Sequence, residues 1–315
     1  MINKIAEISL VLPDSIKVVD RSIIVSESGR DRVLVFLPNR YFYLGSEGVG
    51  KYRFKEPVSA YIQGNDIYVC DWFNHRIVHF HKEIFVRQIG VPGLYNRHII
   101  YGIKHFFKSL LSVGTYTKLH FNESKNASTR YKLTSTLYGV FYYLTNFRML
   151  VRSVSSGLYI NKPNDCVVLD NYLYISQKDN RCVSIFDLSK EVLVVNLIAY
   201  PDGVAFGRLG QMCEVQDKIY FCDETNGRIG IIKDMNVVDF KLDFPSFRPF
   251  SVACSIEYFA VCGMKSWGLY DRSWNLLHIA ETHDEYHGIA IDNNSVYLVN
   301  RSAGKIEMID INEII

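Results

Sequence analysis

Along most of this chain, short apolar runs of four to seven residues alternate with clusters of Gly, Asn, Asp and Pro. The runs are rich in Val, Ile, Tyr and Phe, which suits strands and not helices. The clearest stretch is Pro57 to Phe80, PVSAYIQGNDIYVCDWFNHRIVHF, with a turn at Gly64-Asn65-Asp66 and a corner at Asn74-His75. It predicts two antiparallel strands and the start of a third. The unit recurs with a fixed internal offset. A turn-like or strand-opening residue precedes, by fourteen positions, a residue that closes an apolar run at Pro13/Glu27, Pro57/Asp71, Pro163/Gln177, Leu209/Asp223, Pro249/Gly263 and Tyr286/Asn300.

Spacings between the anchors are 44, 106, 46, 40 and 37 residues, and an interruption of roughly 65 residues after Gly90 accounts for the long one. A period near 40 with four short strands per unit is the signature of an all-β propeller, in which stacked blades cover the faces that one small sheet leaves bare. Six copies predict a six-bladed β-propeller of four-stranded antiparallel blades. The sixth unit, HGIAID, VYLVN and KIEMIDI, has no fourth run, whereas residues 1–12 form a spare alternating strand with Ile8, Leu10 and Leu12 on one face. That N-terminal strand is expected to close the last blade. The chain thus divides into blades one and two with the closing strand (1–90), an insertion (91–156) and blades three to six (157–315).

The insertion departs from the rest in charge. It holds nine basic residues and one acid, Glu123, a net of +8 against +2 for the whole chain, so the propeller itself is about −6. Arg97 to Val113 has helical periodicity, with Phe106 and Phe107 on an apolar face opposite Arg97, Lys104 and Lys108. A second candidate helix, Leu133 to Val154, is rich in aromatics but interrupted by Arg148 and Arg152, too short a run to cross a bilayer. The insertion is therefore expected to be mainly helical. It reads either as a hairpin packed on the propeller or as a basic amphipathic device for an anionic membrane surface or a protein partner. Nucleic acid is a further option, one that the net acidity of the blades disfavours.

Asp71-x-x-Asn74-x-Arg76-Ile77 and Asp223-x-x-Asn226-x-Arg228-Ile229, each after an Ile-Tyr-Val-Cys-like strand, resemble NHL repeats. Gln177-x-x-Asn180 is a weaker copy, and the unit from Gly263 to Leu269 has lost the motif. The resemblance implies a propeller in which these Asp, Asn and Arg side chains tie the turn between strands two and three. Binding would then fall to what does not repeat on the face holding those turns and the inter-blade connections: Trp72, Phe73 and His75, with Lys265, Trp267 and Arg301.

An enzymatic alternative rests on short segments. Lys162-Pro163-Asn164-Asp165 and Pro201-Asp202-Gly203 are similar to segments of regucalcin- and gluconolactonase-type enzymes. That likeness implies a hydrolase, lactonase or lyase with Ca²⁺ or another divalent metal on the propeller axis. Asn164, Asp165, Asp202 and His287 are the channel candidates, with Asp14 where an axial glutamate would stand. The main reading requires no cofactor and names no catalytic residue. His79 and His81 alternate along one strand face, where they could chelate, and are expected instead to pair across blades. Seven cysteines without a Cys-x-x-Cys motif fit reduced thiols, and Cys70, Cys222 and Cys262, equivalent in three units, are expected in the core. With no signal-peptide pattern at the N-terminus, the expectation is a cytoplasmic protein, membrane-peripheral if the insertion docks on lipid.

Overall fold

The structure, a computed structural model, describes residues 8–90 and 160–315 apart from 242–243, 245–246, 282 and 293. Blade one comprises β1 (Pro13–Val19), β2 (Ser22–Glu27), β3 (Arg32–Leu37) and β4 (Arg40–Leu44). Blade two has β5 (Pro57–Gln63), β6 (Asp66–Asp71), β7 (Arg76–His81) and β8 (Ile84–Gly90). Blade three has β9 (Pro163–Leu169), β10 (Tyr172–Gln177), β11 (Cys182–Asp187) and β12 (Val192–Leu197). Blade four has β13 (Leu209–Val215), β14 (Lys218–Asp223), β15 (Arg228–Lys233) and β16 (Asn236–Lys241). Blade five has β17 (Ser251–Cys254), β18 (Tyr258–Cys262), β19 (Ser266–Asp271) and β20 (Leu276–Glu281). Blade six has β21 (Tyr286–Ile291), β22 (Ser295–Asn300) and β23 (Lys305–Asp310). Each blade is a sheet in sequential order, and the ring is a six-bladed propeller.

Both faces of the inner strands are buried, which is why they read as unbroken apolar runs. Ile24, Val33 and Val35 pack toward blade two, while Ile23, Val25, Leu34 and Phe36 pack toward blade six. The core therefore lies between blades. Outer strands alternate instead: Val192 and Val194 of β12 are exposed, and Leu193 and Val195 pack inward. Cys70, Cys222 and Cys262 are fully buried, as their equivalence predicts.

The fourteen-residue offset is the register of the first two strands. Pro13 pairs with Glu27, Pro57 with Asp71, Pro163 with Gln177, Leu209 with Asp223 and Tyr286 with Asn300, and all five ladders slip just inside that pair. Such a bulge re-aims the next side chains of the innermost strand. Blade five differs: its ladder starts at Ser251 opposite Cys262, without a slip.

Blade six is three-stranded among the described residues. The expected closing strand lies largely in 1–7, outside them. Its continuation is visible, since the Leu10 N–H donates to Gly304 O at 2.8 Å and the Leu10 side chain packs with Ile16, Tyr297 and Ile306 between blades one and six. The helices expected within 91–156 also lie outside the described residues. At its flanks, Gly90 stands so close to Ile160 that a Cβ there would come within 3.1 Å of it. The positive φ of 95° at Gly90 likewise favours glycine.

Candidate functional site

Four of the six blades are held to their neighbours by the same contact. The side chain closing the second strand accepts the backbone N–H of a residue sixteen positions earlier, in the chain arriving from the previous blade. The pairs are Glu27 with Val11, Asp71 with Lys55, Gln177 with Asn161 and Asp223 with Gly207, at 2.7 to 2.8 Å. In blade two the same carboxylate also accepts from Asn74 Nδ2 and Arg76 Nε, both at 2.8 Å, and Arg76 donates onward to Arg53 O and Gln88 Oε1. All three side chains are buried. Their role is architectural, as the motif's repetition implies. Blade four solves the problem differently, with Arg228 paired to Asp202 at 2.8 Å and lying over the Tyr200 and Phe240 rings.

At the waist of the axial channel, a belt of polar groups joins the inner strands. Ser26 Oγ donates to Val58 O at 2.9 Å, Ser59 Oγ to Asp165 Oδ1 at 2.5 Å, and Ser176 Oγ to Gly210 O at 2.9 Å. Ser251 Oγ donates to Gln211 Oε1 at 2.6 Å, and Gln211 Nε2 reaches across to Asp14 O at 2.9 Å and His287 O at 3.0 Å. Lys17 completes the belt. Its Nζ donates to Asp165 Oδ2 at 2.7 Å and to Met212 O at 2.6 Å, linking blade one to blades three and four. Burial pulls this ammonium down, but the charge and hydrogen bond of Asp165 outweigh it and hold the Lys17 pKa above its ordinary value. The Cys166 and Met212 N–H groups donate to Asp165 as well, at 2.8 and 2.6 Å. Each Asp165 oxygen thus takes two donors.

Below the belt, on the face of the β1–β2 type hairpins, the axis opens into a cavity of about 230 Å³ lined by Lys17, Tyr61, Glu214 and apolar residues such as Val167 and Ile291. Burial raises the Glu214 pKa against a long hydrogen bond from Tyr61.

Above the belt is the mouth on the connection face. Asp14 Oδ1 pairs with the Arg301 guanidinium and lies 3.2 Å from His287 Nδ1. Burial, countered by Glu285 and reinforced by Lys178, holds the His287 pKa below its ordinary value. The ring therefore stays neutral at pH 7. Its neighbour is the Phe250 ring, 5.2 Å away, over which the Lys178 ammonium sits at 5.6 Å. Further out, Trp72 and Phe73 meet edge to face at 4.6 Å, and Lys162 lies over the indole at 4.9 Å while pairing with Asp179 at 3.0 Å.

The sequence candidates fall into four groups. Trp72, Phe73, Lys265 and Arg301 lie on the connection face with partly or largely exposed side chains. His75 and Trp267 do not present themselves there: His75 is 1% exposed and accepts the Lys162 N–H, and Trp267 is 2% exposed, on β19 between blades five and six. Of the channel set, Asn164, Asp165 and His287 are axial, but Asp202 is on the loop between blades three and four, held by Arg228. Arg97, Lys104, Phe106, Phe107, Lys108, Arg148 and Arg152 lie outside the described residues. His79 and His81 do not pair across blades as expected: they share Asp66 Oδ1 on the neighbouring strand of their own blade, at 2.7 and 3.1 Å. Sequence reasoning missed Lys17 and Lys178. The signal for Lys17 was available, as a lone cation between Ile16 and Val18 in an innermost strand.

No protein-family model matches the sequence, and no curated protein matches it. Solved structures do. A streptogramin B lyase aligns at TM-score 0.57 and 10% identity over 98% of this chain and 82% of that one. The WD40 repeats of RRP9 align at 0.54 and 7% over 95% and 80%. A catalytically inactive His-to-Ala virginiamycin B lyase from Staphylococcus aureus, with quinupristin, aligns at 0.52 and 11% over 96% and 87%. Similarity at this level is one of fold, and it places the chain among β-propellers whose described members include both lyases and WD40 repeats.

Proposed function

We propose that this chain is a non-enzymatic binding and scaffolding propeller that meets its partner with the connection face. Residues 91–156 are its basic docking element for an anionic membrane surface or a protein partner. The observation that supports this most is the state of Asp165. The carboxylate best placed to serve axial chemistry takes four donors, one of them the Lys17 ammonium at 2.7 Å. A divalent cation at Asp165 would have to displace that ammonium, so these residues do not fit the metal centre that the lactonase likeness implies. The groups left to act are on the face itself: Trp72, Phe73 and Lys162 to one side, Lys265 and Arg301 to the other.

The test uses the proximity of Gly90 and Ile160, across which a short linker can replace 92–155. Intact protein should co-sediment with vesicles containing phosphatidylserine, or cross-link to a cellular protein, and the deletion variant should lose that binding while keeping its β circular-dichroism spectrum. Equal behaviour of the two proteins sinks the proposal.

One observation favours a second reading, a lyase or hydrolase without an Asp165 metal: the neutral His287 beside Asp14 at the mouth. A neutral imidazole can take a proton from a substrate there. Turnover of lactones or of quinupristin that His287→Ala abolishes would replace the scaffold reading with this one.

A further inference from the structure

The axial cavity on the hairpin face takes no part in the docking surface, and its charges are unevenly spent. Three charged side chains line it, Lys17, Asp20 and Glu214, among apolar residues such as Val18, Val167 and Val252. The cation is engaged: Lys17 Nζ lies 2.7 Å from Asp165 Oδ2 and 2.6 Å from Met212 O. Glu214 is half-buried and has no ion pair among the described residues. Its donor there, the Tyr61 hydroxyl, lies 3.4 Å from Oε1 and also 3.4 Å from Val168 O, too far from either for a strong bond. Burial raises the Glu214 pKa more than the Tyr61 hydroxyl and the charge of Lys17 lower it, and Asp20 and Asp217 add to the rise. The field continues around the opening. Counted to the first residue of its second strand, each of the six surrounding hairpins carries one acid, Asp20, Asp66, Asp170, Asp217, Glu257 and Asp292, against only Arg21 and Lys218.

We infer that this cavity binds a small organic cation, a primary alkylamine, whose ammonium donates to Glu214 and whose apolar chain lies against Val167, Val252 and Ile291. Volume sets the size. The cavity's 230 Å³ is several times the roughly 30 Å³ of one water and below the range of drug-sized sites, so the ligand has about six to eight non-hydrogen atoms. Chemistry sets the charge: an ammonium gives Glu214 the partner it lacks, an anion meets the acidic rim, and a neutral alcohol leaves the carboxylate desolvated without a counter-charge. A divalent metal ion fits less well, because it asks for several converging oxygens and much of the wall consists of Val, Ile and Ala side chains. The site lies at the opposite end of the axis from the connection face, so it stands whether or not that face docks a partner.

The test is calorimetric titration of the full chain, at about pH 8, with isoamylamine and with isoamyl alcohol and isovalerate as its neutral and anionic counterparts. The amine should reach half-saturation below about 10 mM, and both counterparts should bind at least about tenfold more weakly. Glu214→Gln should weaken the amine by a similar factor while leaving the alcohol unchanged, with folding checked by circular dichroism. Asp20→Asn, at the exposed rim, should weaken the amine about two- to threefold. No saturable heat with the amine, equal binding by the alcohol or the acid, or an amine isotherm that Glu214→Gln leaves unchanged overturns the inference. Where Glu214→Gln does not fold, an isotherm unchanged in Asp20→Asn does the same.

Discussion

Two aspartates on innermost strands, Asp165 and Asp14, show how one chemical group serves opposite ends. Asp165 sits just inside the bulge of blade three and spends both oxygens on Lys17, Ser59 and two backbone N–H groups. Asp14 lies within the bulge of blade one and spends only Oδ1. The first closes the axis by joining blades; the second leaves a polar atom unsatisfied at the mouth. Burial depth does not distinguish them, since both are nearly inaccessible. The difference lies in how many donors the bulge geometry aims at each carboxylate.

Breaking the belt should have the largest effect. Lys17→Met leaves Asp165 charged and buried among neutral donors, and should lower the unfolding free energy by about 3–5 kcal/mol in a urea titration. Adding Asp165→Asn should recover part of that loss, because both charges are then gone. The pair also predicts an alkaline limit. With the folded Lys17 pKa above the unfolded 10.5, its contribution is complete below that value and disappears as pH rises through the folded pKa.

A smaller effect belongs to His75, next to the insertion. Burial, with help from Lys162, lowers its pKa from 6.5 to about 4. Between those values the unfolded chain binds the proton and the folded chain does not. Stability should therefore fall as pH drops from 6.5 toward 4, by up to about 3 kcal/mol, and His75→Gln should flatten the slope in urea titrations at each pH. The smallest effect should come from Asp14→Asn, a loss of about 1–2 kcal/mol in the same urea titration, because it removes the carboxylate charge that faces a partly exposed Arg301 guanidinium. A loss as large as that of Lys17→Met would mean that the Asp14–Arg301 pair carries as much of the fold as the belt does.

The register was legible in the residues because a bulged two-strand unit repeats its turn chemistry at a constant offset, and five of the six offsets are Cα partners in the ladders. Blade five departs for a physical reason: a Cβ at Gly263 would lie 2.9 Å from Arg248 O, so the space for a tying side chain is filled by backbone. Trp267 was misplaced because a turn and the second residue of a strand look alike when the usual Asp is missing. Asp202 resembled an axial segment in sequence, but it lies seven residues before Leu209, in the connection, where Arg228 claims it. The belt was not legible at all. Its bonds join residues as far apart as Gln211 and Asp14, and no local pattern encodes which serine meets which carbonyl.

The near-contact of Gly90 and Ile160 makes the junction between blades two and three a port. Loop-closure entropy grows only with the logarithm of length, about 0.6 kcal/mol per doubling, so the ring is almost indifferent to how much chain is spliced there. A shorter or longer connection can be spliced at that point while the described ends keep the spacing that the blades set. The described blades are then the constant part of the molecule, and the segment leaving at Gly90 is the part whose length can change.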